Sequence, residues 1–348
     1  MGLSTSEHVW QPVMAADWQD EACVLLDQRL LPGEERYLSL RSAGEVADAI
    51  REMVVRGAPA IGIAAAYGAV LAYRRAGDDG ALLEEGLGTL AAARPTAANL
   101  AWAIDRVRRA AGAAGRDAWR TALEEAREIH REDVAMNHAM GRLGAALLGG
   151  RGAVVTHCNA GALATGGFGT ALGVIREAWA AGKIERVYAG ETRPWLQGSR
   201  LTAWELARDH IPVTVLADSA MAQMFRCRHP SWLIVGADRV AANGDVANKI
   251  GTYGLALSAR HHGAKVMVVA PTSTVDMNTA SGDDIPIEER GSSEIWAATG
   301  ADTEPAEVAF SNPAFDVTPA ALIDALVTEK GVVERPGPEG LAAMMARP

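Results

Sequence analysis

The stretch "VVTHCNAGALATGGFG", residues 154–169, decides how the rest of the chain is read. An apolar β-branched run ends at Cys158, and a glycine-rich segment follows at once. Three readings of that cysteine compete. Free cysteine usually behaves as a small core hydrophobe. The glycines could form a dinucleotide-binding turn, or the thiol could be a catalytic group facing a ligand.

Towards the C-terminus the same kind of apolar run recurs. "GAVVTHC" (152–158), "RVYAG" (186–190), "VTVLAD" (213–218), "WLIVGAD" (232–238) and "KVMVVAP" (265–271) alternate with helical stretches that end in "AAGK" and "RHHG". Such alternation predicts an α/β fold with a Rossmann-like parallel sheet covered by helices on both faces. Ligands of such sheets bind beyond the carboxyl ends of the strands, which directs attention to Cys158, Glu191, Asp218 and Asp238. "AFDVTPAALIDALVTEKGVV" (314–333) predicts a last strand and helix.

Towards the N-terminus the pattern differs. Residues 21–40 alternate apolar and polar around a "PG" turn, which reads as a hairpin. Ser42 and Glu45 form an S-x-x-E capping box ahead of Val46, Ile50, Met53 and Val54 at helical spacing. "RGAP" (56–59) interrupts, an alanine-rich helix of roughly 16 residues starts at Pro59, and further helices fall at about 97–112 and 117–148. The expected organisation is a smaller N-terminal β-hairpin and helical domain, 1–148, then a Rossmann-like α/β catalytic domain, 149–348.

Length and composition set outer limits. At about 150 residues per domain, 348 residues suggest two domains. A net charge of −10 argues against non-specific nucleic-acid binding, which needs a basic surface, yet a few local arginines still suffice for a small anion. The three cysteines, Cys23, Cys158 and Cys227, form no C-x-x-C pair, so neither a disulfide framework nor a zinc ribbon is expected. Cys23 and Cys227 read as core thiols. No leader peptide and no apolar run of about 18 residues is evident, so a cytoplasmic protein without membrane contact is expected.

The dinucleotide reading fits poorly. Gly167 and Gly169 supply G-x-G, but Leu172 stands at the third position and the glycines begin well past the strand. Glu191 does end the next strand, as that motif asks. Cys158 stays open between core and catalysis, because a nearby helix N-terminus would favour its thiolate. His157 points to the opposite face, so no His–Cys pair or shared metal is expected. Asp238 ends the most apolar strand, where desolvation would fit a carboxyl to donate a proton; pairing with Arg239 is the alternative. Asp218 reads better as a helix N-cap. "RGAPAIG" (56–62) joins a guanidinium to a helix start, a phosphate cradle in outline, and "NKIGTY" (248–253) is a second polar helix start. "ETRPWLQGSRLTAWEL" (191–206) is a dense polar and aromatic loop at the ligand edge. His261 and His262 read as helix-end residues.

Laid out together, "LLDQRLLPGEERYL", "MVVRGAPAIGIAAAYG", "RPTAANLAWA", "THCNAGALATGGFGTALGVI", "ETRPWLQGSRLTAWEL" and "VGADRVAANGDVANKIGTY" closely resemble the methylthioribose-1-phosphate isomerase family. "DDIPIEERG" and "NPAFDVTP" complete the likeness, which runs from about residue 10 to 335. The family also holds ribose-1,5-bisphosphate isomerases and regulatory subunits of a translation-initiation exchange factor. The resemblance implies an aldose–ketose isomerase of methionine salvage, a homodimer with a Rossmann-like sheet that binds no nucleotide, with a sugar phosphate as substrate. It implies no cofactor and no metal. It assigns substrate contacts to Arg56, Gly57, Ala58, Arg94, Gln197, Asn248 and Lys249, the proton donor to Asp238 and the catalytic thiol to Cys158. Ser199 departs from the expected small apolar residue, at a position without an assigned role.

Overall fold

The computed structural model describes residues 10, 13–94, 98–300, 303, 305 and 307–347. Most of the N-terminal stretch read for a leader, and Ala97 at the expected start of a helix, lie outside them.

Three antiparallel strands open the fold: β1 (Ala16–Gln19), β2 (Ala22–Leu26) and β3 (Tyr37–Leu40). The expected hairpin is β2–β3, and β1 adds a strand ahead of it. Then α1 (Ala43–Arg51) starts at the Ser42–Glu45 capping box, with Glu45 N–H donating to Ser42 Oγ at 3.2 Å and Ser42 N–H to Glu45 at 3.0 Å. α2 (Ala58–Ala76) carries Pro59 in its first turn, where a missing N–H costs nothing, and is buried over most of its length. α3 (Gly80–Ala91), α4 (Ala98–Ala111) and α5 (Ala118–Ala146) follow. α3 falls where the sequence reading placed no helix, and its Gly80, Gly86 and Gly88 lower the segment's intrinsic helix propensity. Gly86 is instead a contact residue: a Cβ there would sit 2.9 Å from the Ala72 side chain on α2.

The main sheet is built from β4 (Gly152–Thr156), β5 (Ile184–Gly190), β6 (Val213–Leu216), β7 (Trp232–Val235), β10 (Lys265–Val269), β13 (Ala325–Thr328) and β14 (Gly331–Glu334). Its order is β14-β13-β10-β7-β4-β5-β6, parallel throughout except for β14 at one edge. Between these strands run α6 (Ala171–Ala180), α7 (Ala203–Arg208), α8 (Met221–Arg228) and α9 (Thr252–His261), with α10 (Ser293–Trp296) and α11 (Pro338–Met345) later. Successive residues of β7 and β10 alternate between two apolar cores. Trp232, Ile234, Met267 and Val269 pack towards α5 and α6, while Leu233, Val235, Val266 and Val268 pack with α8, α9 and α11. Both faces are covered, which is why these strands read as unbroken apolar runs.

Residues 314–333 correct the sequence reading. Their first strand is β12 (Phe315–Thr318), but the expected helix is a single 3₁₀ turn and then the hairpin β13–β14. "ALVT" is too short for its periodicity to separate strand from helix, and pairing with β10 decides the matter. A second small sheet, in the order β11-β8-β9-β12, holds β8 (Arg239–Ala241), β9 (Val246–Lys249) and β11 (Val275–Asp276) over the carboxyl end of the main sheet. Cys23 is buried as expected; Cys227 is not, since it sits on the exposed side of α8.

Candidate active site

The chain order of the main sheet reverses direction at β4. From β4 it runs outward through β5 to β6, then returns to the other side of β4 as β7 and continues through β10 to β13. Crevices form where successive connections leave in opposite directions, so the space above β4 and β7 is the expected ligand site. Cys158 stands two residues past the end of β4, and Asp238 three past the end of β7. Both line one cleft there, together with Arg56, Gly57, Ala58, Asn159 and Asn248.

Cys158 is buried and adopts φ +60, a left-handed conformation uncommon for a residue with a side chain. Two threonines hold it. Its N–H donates to Thr192 Oγ1 at 2.9 Å, and its carbonyl accepts from Thr202 Oγ1 at 2.6 Å. His157 lines the same cleft, its Nε2 donating to the Ile250 carbonyl at 2.8 Å. Since a carbonyl only accepts, the proton sits on Nε2, and burial holds the ring below its usual pKa and therefore neutral.

Asp238 is fixed between two sheets: β7 ends just before it, β8 begins just after it, and its N–H donates to the Ala247 carbonyl at 2.9 Å. Its side chain is open to solvent within the cleft, yet protein surrounds that cleft. This enclosure pushes the carboxyl above the usual carboxylate range, while Lys249, Arg56 and Arg94 pull it down and Glu288 adds to the rise. Arg239, the alternative partner, pairs with Asp276 at 3.3 Å instead.

Arg56 and α2 form the anion-binding side. Gly57 caps the helix without a side-chain hydrogen bond and leaves first-turn amides directed at the cleft. The Arg56 fork donates to Asn159 Oδ1 at 2.6 Å and to the Asn159 carbonyl at 2.9 Å. Asn248 lines the cleft and donates to Thr252 Oγ1 at 3.0 Å. Lys249, beside it at the end of β9, stands over the Phe315 ring at 4.8 Å. Arg94 and Lys249 act on Asp238 through their charge, without forming the cleft wall, and Arg94 pairs with Glu288 at 3.7 Å.

Gln197 is not among the residues that line this cleft. It is buried in the loop after β5, and its Oε1 has no hydrogen-bond partner there. Asp218 does not cap its own helix. It accepts from the Thr192 and Arg193 amides at 2.9 and 2.7 Å, which clamps the loop that holds Cys158. The glycine-rich segment closes on itself through a Gly161–Gly169 bridge, where a Cβ on Gly169 would meet Gly161 backbone at 2.6 Å. Asn159, Thr165 and Thr170 of this segment line the cleft and were not singled out from sequence. A polar residue directly after the cysteine was the available signal for Asn159. Among the described residues no group of three or more His, Cys, Asp or Glu side chains is placed to hold a metal ion.

Comparison with known proteins identifies the family of the chain. Residues 54–335 match the initiation factor 2 subunit family. The methylthioribose-1-phosphate isomerase of Thioalkalivibrio sulfidiphilus is 55% identical over 347 residues, covering 99% of this chain and 100% of that protein. The crystal structure of 5-methylthioribose 1-phosphate isomerase from Pyrococcus horikoshii OT3 superposes with a TM-score of 0.91 at 39% identity, over 99% of each chain. The delta subunit of translation initiation factor eIF-2B from A. fulgidus gives 0.86 at 42% identity, over 95% of this chain and 99% of that one. The chain belongs to the initiation factor 2 subunit family, and within it to the group of the methylthioribose-1-phosphate isomerases.

Proposed function

We propose that this cleft converts 5-methylthioribose 1-phosphate to 5-methylthioribulose 1-phosphate, the aldose–ketose isomerisation of methionine salvage. The observation that carries the reading is the meeting of a cleft carboxyl, Asp238, and a buried thiol, Cys158, at the reversal point of the sheet, beside a guanidinium and a helix N-terminus. A purely regulatory subunit has no use for that pair. A ribose 1,5-bisphosphate needs a second anion site, and among the described residues that line the cleft Arg56 is the one arginine or lysine.

The anomeric phosphate prevents simple opening to an aldehyde, so the C1 to ring-oxygen bond must break with acid help. Asp238 supplies a proton to the ring oxygen, favoured in this by its raised pKa. Hydrogen then moves from C2 to C1, the 2-hydroxyl loses its proton, and a ketone forms at C2. That last proton restores the acid, so the reaction balances without a cofactor. Cys158 either removes the C2 proton or bounds an apolar site for direct hydride transfer. Arg56, Gly57, Ala58 and Asn248 hold the phosphate and hydroxyls from the cleft wall, and Arg94 and Lys249 add positive charge from behind it. The same reading includes a homodimer in the cytoplasm with no nucleic-acid partner. Among the described residues no helix is long and apolar enough to cross a membrane.

The test is turnover of 5-methylthioribose, 5-deoxyribose and ribose-5-phosphate 1-phosphates by the wild type, Cys158→Ser and Asp238→Asn. Asp238→Asn is expected to lose about 10²-fold or more in kcat. Wild-type turnover by that variant would remove its role as the acid, and an inert wild type would favour the regulatory reading. In deuterated water, full incorporation at C1 excludes the hydride route, and none argues against an exchanging base.

A further inference from the structure

Outside the cleft a buried ion cluster joins α6 to α7 and the residue after it. Glu205 is 1% exposed, and its carboxylate accepts four donors: Asn159 Nδ2 at 2.9 Å, Ala162 N–H at 2.8 Å, Leu163 N–H at 3.2 Å and Arg176 Nη2 at 2.9 Å. Arg176, itself buried, also donates to Asp209 at 2.8 Å and to the Phe168 carbonyl. None of the roles assigned above uses this cluster.

We propose that Glu205 is a positioning residue for Arg56, acting through Asn159. An asparagine amide has an acceptor at one end and donors at the other, and alone it can face either way. The Glu205 carboxylate at 2.9 Å, with the Thr202 hydroxyl at 3.2 Å, accepts from the Nδ2 end, which obliges Oδ1 to face the cleft, where Arg56 donates to it. The fork of Arg56 is thereby held by two acceptors of one residue, and that residue is oriented by Glu205. The same carboxylate anchors the 162–163 backbone, one residue before Ala164, whose backbone packs against Gly57. Charge pairing with Arg176 keeps the carboxylate satisfied on its other side. The inference rests on Arg56 gripping the substrate phosphate.

Glu205→Gln places an amide N–H₂ against donors, and Asn159→Asp sets two carboxylates face to face. Each is expected to raise KM about tenfold or more with a smaller change in kcat, the scale of loss when a partner behind a binding group is removed. The double variant restores one donor and one acceptor across the pair and is expected to recover most of the KM. Asn159→Ser cuts the link while leaving the other three donors of Glu205 in place, and the same KM rise is expected should Glu205→Gln fail to fold. Unchanged KM in the single variants, or additive loss in the double, overturns the proposal. Arg56→Ala separates the two layers. No KM change in Arg56→Ala removes the phosphate role of Arg56 itself, whereas a rise there without one in the Glu205 and Asn159 variants removes only the positioning.

Discussion

At the scale of single residues, the binding side of the cleft depends on one glycine. Gly57 has φ +95, and a Cβ on it would lie 2.7 Å from Ala164 backbone and side-chain atoms. Any other residue must both adopt a conformation that side chains disfavour and displace the glycine-rich segment. Gly57→Ala is therefore expected to raise KM at least about tenfold through the displaced Arg56 and first-turn amides. Steady-state kinetics would check this, and an unchanged KM would show that the helix start does not bind the substrate. Cys158 and Asp238 were legible in the sequence, because a strand end is easy to see and the rule for parallel sheets assigns it a place. Glu205 was not. Its partners lie up to 46 residues away, and nothing local separates it from an ordinary helix glutamate.

Among the elements, α5 carries an unusual polar stripe. His130, Asp133 and Asn137, at spacings of three and four, share one buried face. His130 Nε2 bonds the Gly166 carbonyl at 2.7 Å, and Asp133 accepts from Gly166 N–H at 2.6 Å and Asn137 Nδ2 at 2.8 Å. The helix thus holds the glycine-rich segment from below. Burial raises Asp133 from 3.8 to about 6. The folded state therefore binds this proton more tightly than the unfolded chain, and the associated stability, present below pH 4, is lost as pH rises through about 6. Asp133→Asn mimics the neutral form. Its stability relative to the wild type is expected to improve by up to about 3 kcal/mol between pH 4 and 7. Urea unfolding at the two pH values measures this, and a pH-independent difference would contradict it. Helix position and length were readable here from periodicity, as the match of α5 to 117–148 indicates. Elements whose glycines serve packing, such as α3, and short strands defined by their neighbours, such as β13, were not.

For the whole molecule, α5 matters again, because it packs on α2 and α4 of the helical layer and on α6 and the main sheet. The two halves share this helix as a common wall. Gly144 sits where it meets the sheet layer, and an added methyl would overlap the Val174 side chain and approach Met267 at 3.3 Å. Gly144→Ala is expected to cost about 1–3 kcal/mol by overpacking. Because the wall is shared, amide exchange should accelerate in α2 as well as in β4. Acceleration confined to one of them would mean that the halves unfold separately. The alternating β and α units made the sheet legible from sequence, whereas the small sheet over its carboxyl end was not. Its strands are two to four residues long and take their order from contacts across residues 239–318.

The left-handed backbone of Cys158 has a consequence for how such a chain evolves. A residue with a side chain at that φ is held against its own preference by about 1–2 kcal/mol, and glycine or asparagine would relax it. Thr192, whose hydroxyl accepts from the Cys158 amide, is in the same condition at φ +64. Drift towards greater stability would thus erode the thiol and its support together. The position is frustrated, and the molecule keeps a local energetic cost where it keeps its chemistry.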